Sequence, residues 1–182
     1  MYGEDSTTRC QAIADDFDDN FGHLIGKGSV ASKGRKRKKE GVYTTKLLDG
    51  FNSQPDAAAD KIPDPVGSFK TVARPFDCIA TIGNKCVVIE AKYFNGYQAL
   101  AMSHLRDKQK LRLKAYHDAG ALACVVAFYK VGSRVRMVVV PFDVLASEGT
   151  IKKRQIEAMP YDLTKKDAYP ITRFRDLLNG QV

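Results

Sequence analysis

The chain has no tryptophan, only three histidines and only four cysteines among its 182 residues. Cys10, Cys78, Cys86 and Cys124 show no CxxC spacing, so neither a zinc framework nor a disulfide scaffold is expected. They read as reduced, mostly buried side chains of a cytoplasmic protein. No apolar run approaches the roughly 20 residues that span a bilayer. The start, MYGEDSTTRC, lacks the basic and apolar segments of an export signal, so no membrane partner is expected. No internal repeat is visible. The length suits a single domain with tails, and 14 glycines are ordinary for a globular chain.

Charge is plentiful but uneven. Residues 1–31 hold six acidic side chains against Arg9 and Lys27, a net −4. With +8 overall, the other 151 residues therefore carry +12. We divide the chain accordingly into an acidic arm, 1–31, and a basic body, 32–182. The arm reads as loosely held or as a short appended helix. The body suits an anionic partner, with nucleic acid weighed against a merely solvated lysine surface.

The body opens with the basic run KGRKRKKEG and continues as an amphipathic helix. At 100° per residue, Glu40, Tyr43, Thr44, Leu47 and Phe51 fall on one face, and Gly50 is a plausible stop. NSQPDAAADKIPDPVG reads as a loop. Strand signals follow in SFKTVA and in the hairpin FDCIATIGNKCVVIEAKY, and FNGYQALAM reads as another loop. A helix over SHLRDKQKLRLKAYHDAG comes next, with Ser103 as N-cap and Gly120 as C-cap. ALACVVAFYK and RVRMVVVPF then form two strands turning at VGS. One or two short helices, the last in TRFRDLLNG, close the chain. The expectation is an α/β fold in which a central mixed five-stranded sheet is flanked by helices, in the order αβββαββ.

The stretch RPFDCIATIGNKCVVIEAKY carries three charges in what is otherwise a core hairpin. If Gly83 and Asn84 are the centre of a two-residue turn, opposed residues have numbers summing to 167. Thr81 then faces Cys86, and Asp77 faces Glu90. Lys92 lies on the same face as Glu90, two residues on. Cys86 shares that face and Cys78 points away, so no disulfide joins them. Two carboxylates this close repel each other unless a cation compensates. Lys92 compensates in part, and a hard divalent ion such as Mg²⁺ does so better. Such a centre activates water for attack on a phosphodiester. A salt-bridged cluster at a strand end is the alternative reading.

Two further residues converge on this end. Gln109 lies on the apolar stripe of its helix with Leu105, Leu113 and Tyr116. It is either a support for the site or a core glutamine bonded to backbone. Glu40, on the inward face of the first helix, is either a further site carboxylate or a solvated residue at the helix start.

Together these residues resemble the PD-(D/E)xK nuclease superfamily, and within it RecU-like and archaeal-type Holliday junction resolvases, including phage versions. The matching stretches are KGRKRKKEG, DKIPDPV, PFDCIA, CVVIEAKY and KQKLRLKAYHDAGALACVVAFY, over roughly residues 33–142. The resemblance implies a restriction-endonuclease-like core. It implies that Asp77, Glu90 and the Ala91 carbonyl bind metal, that Lys92 is the catalytic lysine, and that Glu40 completes the site. It implies that Gln109 supports the site, and that the enzyme is a homodimer requiring Mg²⁺, with Mn²⁺ as substitute, that cuts four-way DNA junctions symmetrically. The chain departs from the RecU pattern between Val66 and Phe76, which is too short for a stalk. VRR-type nuclease domains resemble residues 77–128 as well.

Lys33, Arg35, Lys36, Arg37, Lys38 and Lys39 are the candidate DNA clamp. Lys108, Lys110, Arg112, Lys114, Arg134 and Arg136 extend the positive surface. His23, His104 and His117 read as solvated, and Tyr93, Phe94 and Tyr97 as core or interface aromatics. The expected function is a Holliday junction resolvase acting in recombination or repair. The alternatives are another nuclease of the same superfamily and a non-catalytic basic DNA-binding protein.

Overall fold

Two long, mostly buried strands lie side by side in the middle of a sheet. They are β3 (Lys85–Asn95) and β5 (Leu122–Val131), paired in parallel from Val87–Leu122 to Asn95–Lys130. The computed structural model describes residues 34–63, 74–159, 162–163 and 169–180; of 34–39 and 162–163 only the backbone is described. The acidic arm, Lys33, the side chains of Arg35, Lys36, Arg37, Lys38 and Lys39, and the expected strand SFKTVA all lie outside the described residues.

The elements begin with α1 (Gly34–Asn52), β1 (Ala57–Lys61) and β2 (Cys78–Ile82), before β3. Next come β4 (Leu100–Ala101), a 3-10 turn (Met102–His104) and α2 (Asp107–Asp118), which returns the chain to β5. They end with β6 (Arg134–Pro141), α3 (Phe142–Glu148), β7 (Thr150–Ile151), α4 (Lys153–Ala158), β8 (Asp162–Leu163) and α5 (Thr172–Leu178). The main sheet runs β1-β2-β3-β5-β6-β8, and β4 pairs with β7 separately. The expected α/β fold with a mixed five-stranded sheet flanked by helices holds, but the strand that stands first in the αβββαββ order is Ala57–Lys61, while SFKTVA, expected there, lies outside the described residues. Five strands form the body, and the two-residue β8 adds a sixth at the edge. Among the described residues only the β3–β5 pair is parallel; the others in this sheet are antiparallel.

Alternate residues of each strand face opposite sides, and two cores result. Val88, Val125, Ala127 and Val138 pack with Leu113 and Tyr116 of α2, Leu145 of α3 and Ile156 of α4. On the other side, Val87, Ile89, Val126 and Val139 pack with Leu47 and Phe51 of α1 and Phe174 of α5. Leu47 and Phe51 are fully buried, and each contributes roughly 1.5–3 kcal/mol by leaving water. Thr44, on the same face of α1, bonds back to the Glu40 carbonyl at 2.8 Å.

Several sequence expectations need correction. Ala57–Lys61, read as loop, is a strand. The side chain of Asn52 holds both backbone groups of Ala59, accepting its N–H at 2.7 Å and donating to its carbonyl at 3.0 Å. This fixture and the β2 ladder override the weak strand preference of alanine. Gly50 does not stop α1, which runs to Asn52. It is a close-approach glycine, because a Cβ there would collide with the Tyr169 carbonyl oxygen. Ser103 is not the N-cap of α2. The helix begins at Asp107, and the Arg106 N–H is capped by the Gln109 side chain at 3.0 Å. Gly120 does follow that helix, with φ +90° and its N–H on the His117 carbonyl. Part of the expected loop FNGYQALAM is β4. Among the described residues the tail holds three short helices, ending in the expected one.

Candidate active site

The β2–β3 turn is the two-residue one, with Gly83 at φ +58°. Its ladder keeps the sum of 167 from Ile82–Lys85 through Thr81–Cys86 to Cys78–Ile89. The next step differs from expectation, because Asp77 and Glu90 are not a ladder pair. The Asp77 N–H turns to the Ile89 carbonyl at 3.0 Å, and its own carbonyl accepts the Ile62 N–H at 2.9 Å. This slip at the strand end re-aims the side chain, as a β-bulge does. Asp77 Oδ2 then accepts the Ala91 N–H at 2.8 Å. Backbone bonds from two neighbours and one side-chain bond fix the aspartate in place.

β2 stops at Cys78 while β3 runs on to Asn95. From Glu90 onward, the edge of β3 that faced β2 therefore has no strand partner among the described residues. A residue's N–H and C=O leave a strand on the same side, so the Ala91 carbonyl lies on this edge with Asp77. Glu90 is 1% exposed. Its Oε1 accepts two bonds of 2.5 Å, one from Lys92 Nζ and one from Gln109 Nε2. Gln109 is itself oriented, since its Oε1 is committed to the Arg106 N–H. The glutamine is thus a backbone-bonded residue and a contact of the cluster at once. Glu90 Oε2 is buried and has no hydrogen-bond partner among the described residues.

Glu40 approaches from α1 on the opposite face of the sheet. Burial raises its pKa and the charge of Asp77 raises it further, whereas Lys92, a Tyr93 backbone hydrogen bond and Arg74 act the other way. Burial pushes Glu90 up to about 7, helped by Asp77 and Glu40 and opposed by Lys92. Three carboxylates therefore feel one another across the free edge. Next to them, Tyr43 of α1 stacks on Tyr93 of β3, with ring centroids 5.5 Å apart.

Sequence reasoning missed Arg74. Its guanidinium meets Asp77 Oδ1 at 3.4 Å and the Ile62 carbonyl at 3.3 Å. The available signal was its place three residues before Asp77 in the same charged stretch. Other candidates stay apart from the cluster. His117 is exposed, and the exposed His104 packs on Phe94 while accepting the Ala101 N–H. Lys110 pairs with Asp107, Lys114 with Asp118, and Arg136 bonds the Tyr97 hydroxyl. Cys78 and Cys86 belong to opposite cores, so no disulfide joins them, as their alternation required.

Among the described residues, no three His, Cys, Asp or Glu side chains form a ready metal cage. The donor set nevertheless suits one hard cation. An orphaned, buried carboxylate oxygen needs a counterpart. Glu90 Oε2 together with an Asp77 oxygen and the Ala91 carbonyl would supply part of an oxygen shell, leaving the remainder to water as Mg²⁺ prefers.

No family model matches the chain, and no curated protein matches it. Among solved structures it is similar to Archaeoglobus fulgidus Hjc, a Holliday junction resolvase from an archaeal hyperthermophile. Identity is 17% and the TM-score 0.40, over 64% of this chain and 98% of that one. A likeness at that level carries no argument about activity. Among the described residues, no helix is long and apolar enough to cross a membrane.

Proposed function

We propose that the chain is a metal-dependent, structure-selective DNA endonuclease and, within that class, a Holliday junction resolvase of the PD-(D/E)xK type. The observation that supports this reading most is the Glu90 carboxylate. Two donors hold its Oε1, and its Oε2 is buried, without a partner among the described residues, beside a second carboxylate and a lysine. An ordinary salt-bridged strand end has no reason to bury an unanswered carboxylate oxygen, which costs stability.

In this reading Asp77, Glu90 and the Ala91 carbonyl hold a divalent cation, Mg²⁺ or in its place Mn²⁺, and Glu40 completes the site. When bound, such an ion supplies Lewis acidity toward water and phosphate oxygens. Gln109 and Lys92 together keep Glu90 from rotating. The Lys92 ammonium also brings fixed positive charge to where negative charge develops on the phosphate. Of the clamp, Arg35 through Lys39 lie in the first turns of the helix that carries Glu40, with Lys33 just before it in the sequence, so DNA bound there would lie close to the cluster. A two-fold homodimer would match the near-symmetry of a four-way junction.

The test is incubation with a labelled mobile four-way junction, linear duplex or flap DNA, in Mg²⁺ or in EDTA. Paired symmetric nicks in the junction alone, dependent on metal, are expected. Equal cutting of duplex or flap would favour another nuclease of the class. Binding without metal-dependent cutting would reduce the protein to a basic DNA-binding module.

A further inference from the structure

Asp77 has two carboxylate oxygens with different commitments. Oδ2 is taken by the Ala91 N–H at 2.8 Å, a bond that the protein backbone fixes. Oδ1 is the oxygen left for a cation, and Arg74 touches it at 3.4 Å. The Arg74 side chain is 25% exposed and that of Asp77 11%, so this pair is screened less than a surface pair. The guanidinium is also tethered, because a second nitrogen reaches the Ile62 carbonyl at 3.3 Å. Ile62 in turn donates its N–H to the Asp77 carbonyl. Arginine and aspartate are thus held by one short piece of backbone, and Arg74 is built into the place rather than passing by.

We infer that Arg74 is a positioning residue that competes with a divalent cation for Oδ1 of Asp77 and thereby sets the metal affinity of the site. This rests on the reading of Asp77 and Glu90 as metal-holding residues. The two cations of the cluster divide the work. Lys92 answers Glu90 Oε1 and leaves Oε2 open, whereas Arg74 answers the Asp77 oxygen that an incoming ion needs. Like charges at one oxygen repel, so loading requires the guanidinium to give way. Arg74 stabilises the fold around Asp77 and at the same time weakens metal binding. An arginine with a structural role only would do the first without the second.

The opposite signs of these effects are the test. Wild type, Arg74→Gln, Arg74→Lys and Asp77→Asn are titrated with Mn²⁺ at pH 8, read by calorimetry and by melting temperature. Arg74→Gln should melt lower than wild type in chelator. It should nevertheless bind Mn²⁺ about tenfold more tightly, the scale of one screened ion pair. Lysine cannot span both Oδ1 and the Ile62 carbonyl as the guanidinium fork does, so Arg74→Lys should tighten binding a few-fold. It decides the matter if the glutamine variant fails to fold. Unchanged or weaker Mn²⁺ binding in both arginine variants, with binding lost in Asp77→Asn, overturns the role of Arg74 and leaves the metal reading standing. No Mn²⁺ response in wild type overturns both.

Discussion

The sheet contains two hairpins that turn alike and end differently. Both pivot on a two-residue turn whose first residue is a left-handed glycine, Gly83 at φ +58° and Gly132 at φ +60°. In the β5–β6 hairpin the ladder runs eight pairs, from Val131–Arg134 to Cys124–Pro141, and its middle is wholly apolar. In the β2–β3 hairpin it runs five pairs and stops at Cys78–Ile89. The longer ladder pairs the whole of β6 with all of β5 except Leu122 and Ala123. The shorter one leaves the second half of β3, among the described residues, without a strand partner on one side, and that half carries Glu90 and Lys92. Glu90 and its neighbour in the parallel ladder, Val125, make the contrast at one level of the sheet. A charge is tolerated where donors and an open edge meet it, and hydrocarbon fills the position where neither does.

The largest expected effect comes from placing a charge in the closed hairpin. Val138 is 1% exposed in β6, opposite Ala127. Val138→Glu should destabilise the fold by roughly 3–5 kcal/mol, as an uncompensated buried charge does, seen as a lower urea midpoint. Wild-type stability would mean that burial alone does not distinguish the two hairpins. Next come substitutions at the open edge, which should spare the fold and remove the chemistry. Asp77→Asn keeps an oxygen for the Ala91 N–H. It and Lys92→Ala should each lower junction cutting by about 10²–10³-fold, with native circular dichroism and DNA binding retained. Wild-type cutting by either variant would remove that residue from the site.

A smaller effect, divided between stability and activity, is expected at Gln109, which caps α2 and holds Glu90. Gln109→Leu should cost about 1–2 kcal/mol through the lost cap and bond, and cutting should fall further than this instability explains. A loss of stability with full activity would make it a cap only. The smallest effect concerns the hairpin tip, where the Asp56 carbonyl accepts the Gly83 N–H and the Asp56 carboxylate is forked by Arg175. Arg175 holds that carboxyl below its ordinary value of 3.8. The stability it adds is present above that value and is lost as pH falls through the lowered one. Asp56→Asn should therefore melt slightly below wild type at pH 7, and the gap should close in strong acid. A gap that is constant with pH would assign the effect to something other than this ion pair.

Much of this contrast is legible in the amino-acid order. A Gly-Asn pair between apolar runs implies the two-residue turn and hence the register, which holds for the five pairs of the ladder. The 3.6-residue period puts Glu40 on the face of α1 that packs inward, and puts Gln109 on the stripe with Leu113 and Tyr116. What escapes such reasoning depends on atoms far away in the chain. AAADK becomes a strand because Asn52 clamps Ala59. Gly50 continues its helix because the Tyr169 carbonyl passes where a side chain would be. Asp77 leaves the ladder because Ile62 and Ile89 both bond its backbone, and Arg74 is then close enough to answer it.

The sequence by itself determined which side chains share a face, because alternation in strands and the helical period are local properties of the backbone. It placed Glu90 with Lys92 on one face of β3, Glu40 on a helix, and Asp77 where the hairpin's first run begins, just before β2. Only the tertiary structure decided that these groups meet. α1 and α2 cover opposite sides of the sheet, so Glu40 and Gln109 approach Glu90 and Asp77 from different layers. They converge because β2 ends before β3 does. How far one strand outlasts its neighbour is set by packing and by backbone bonds across the sheet, which no local pattern encodes.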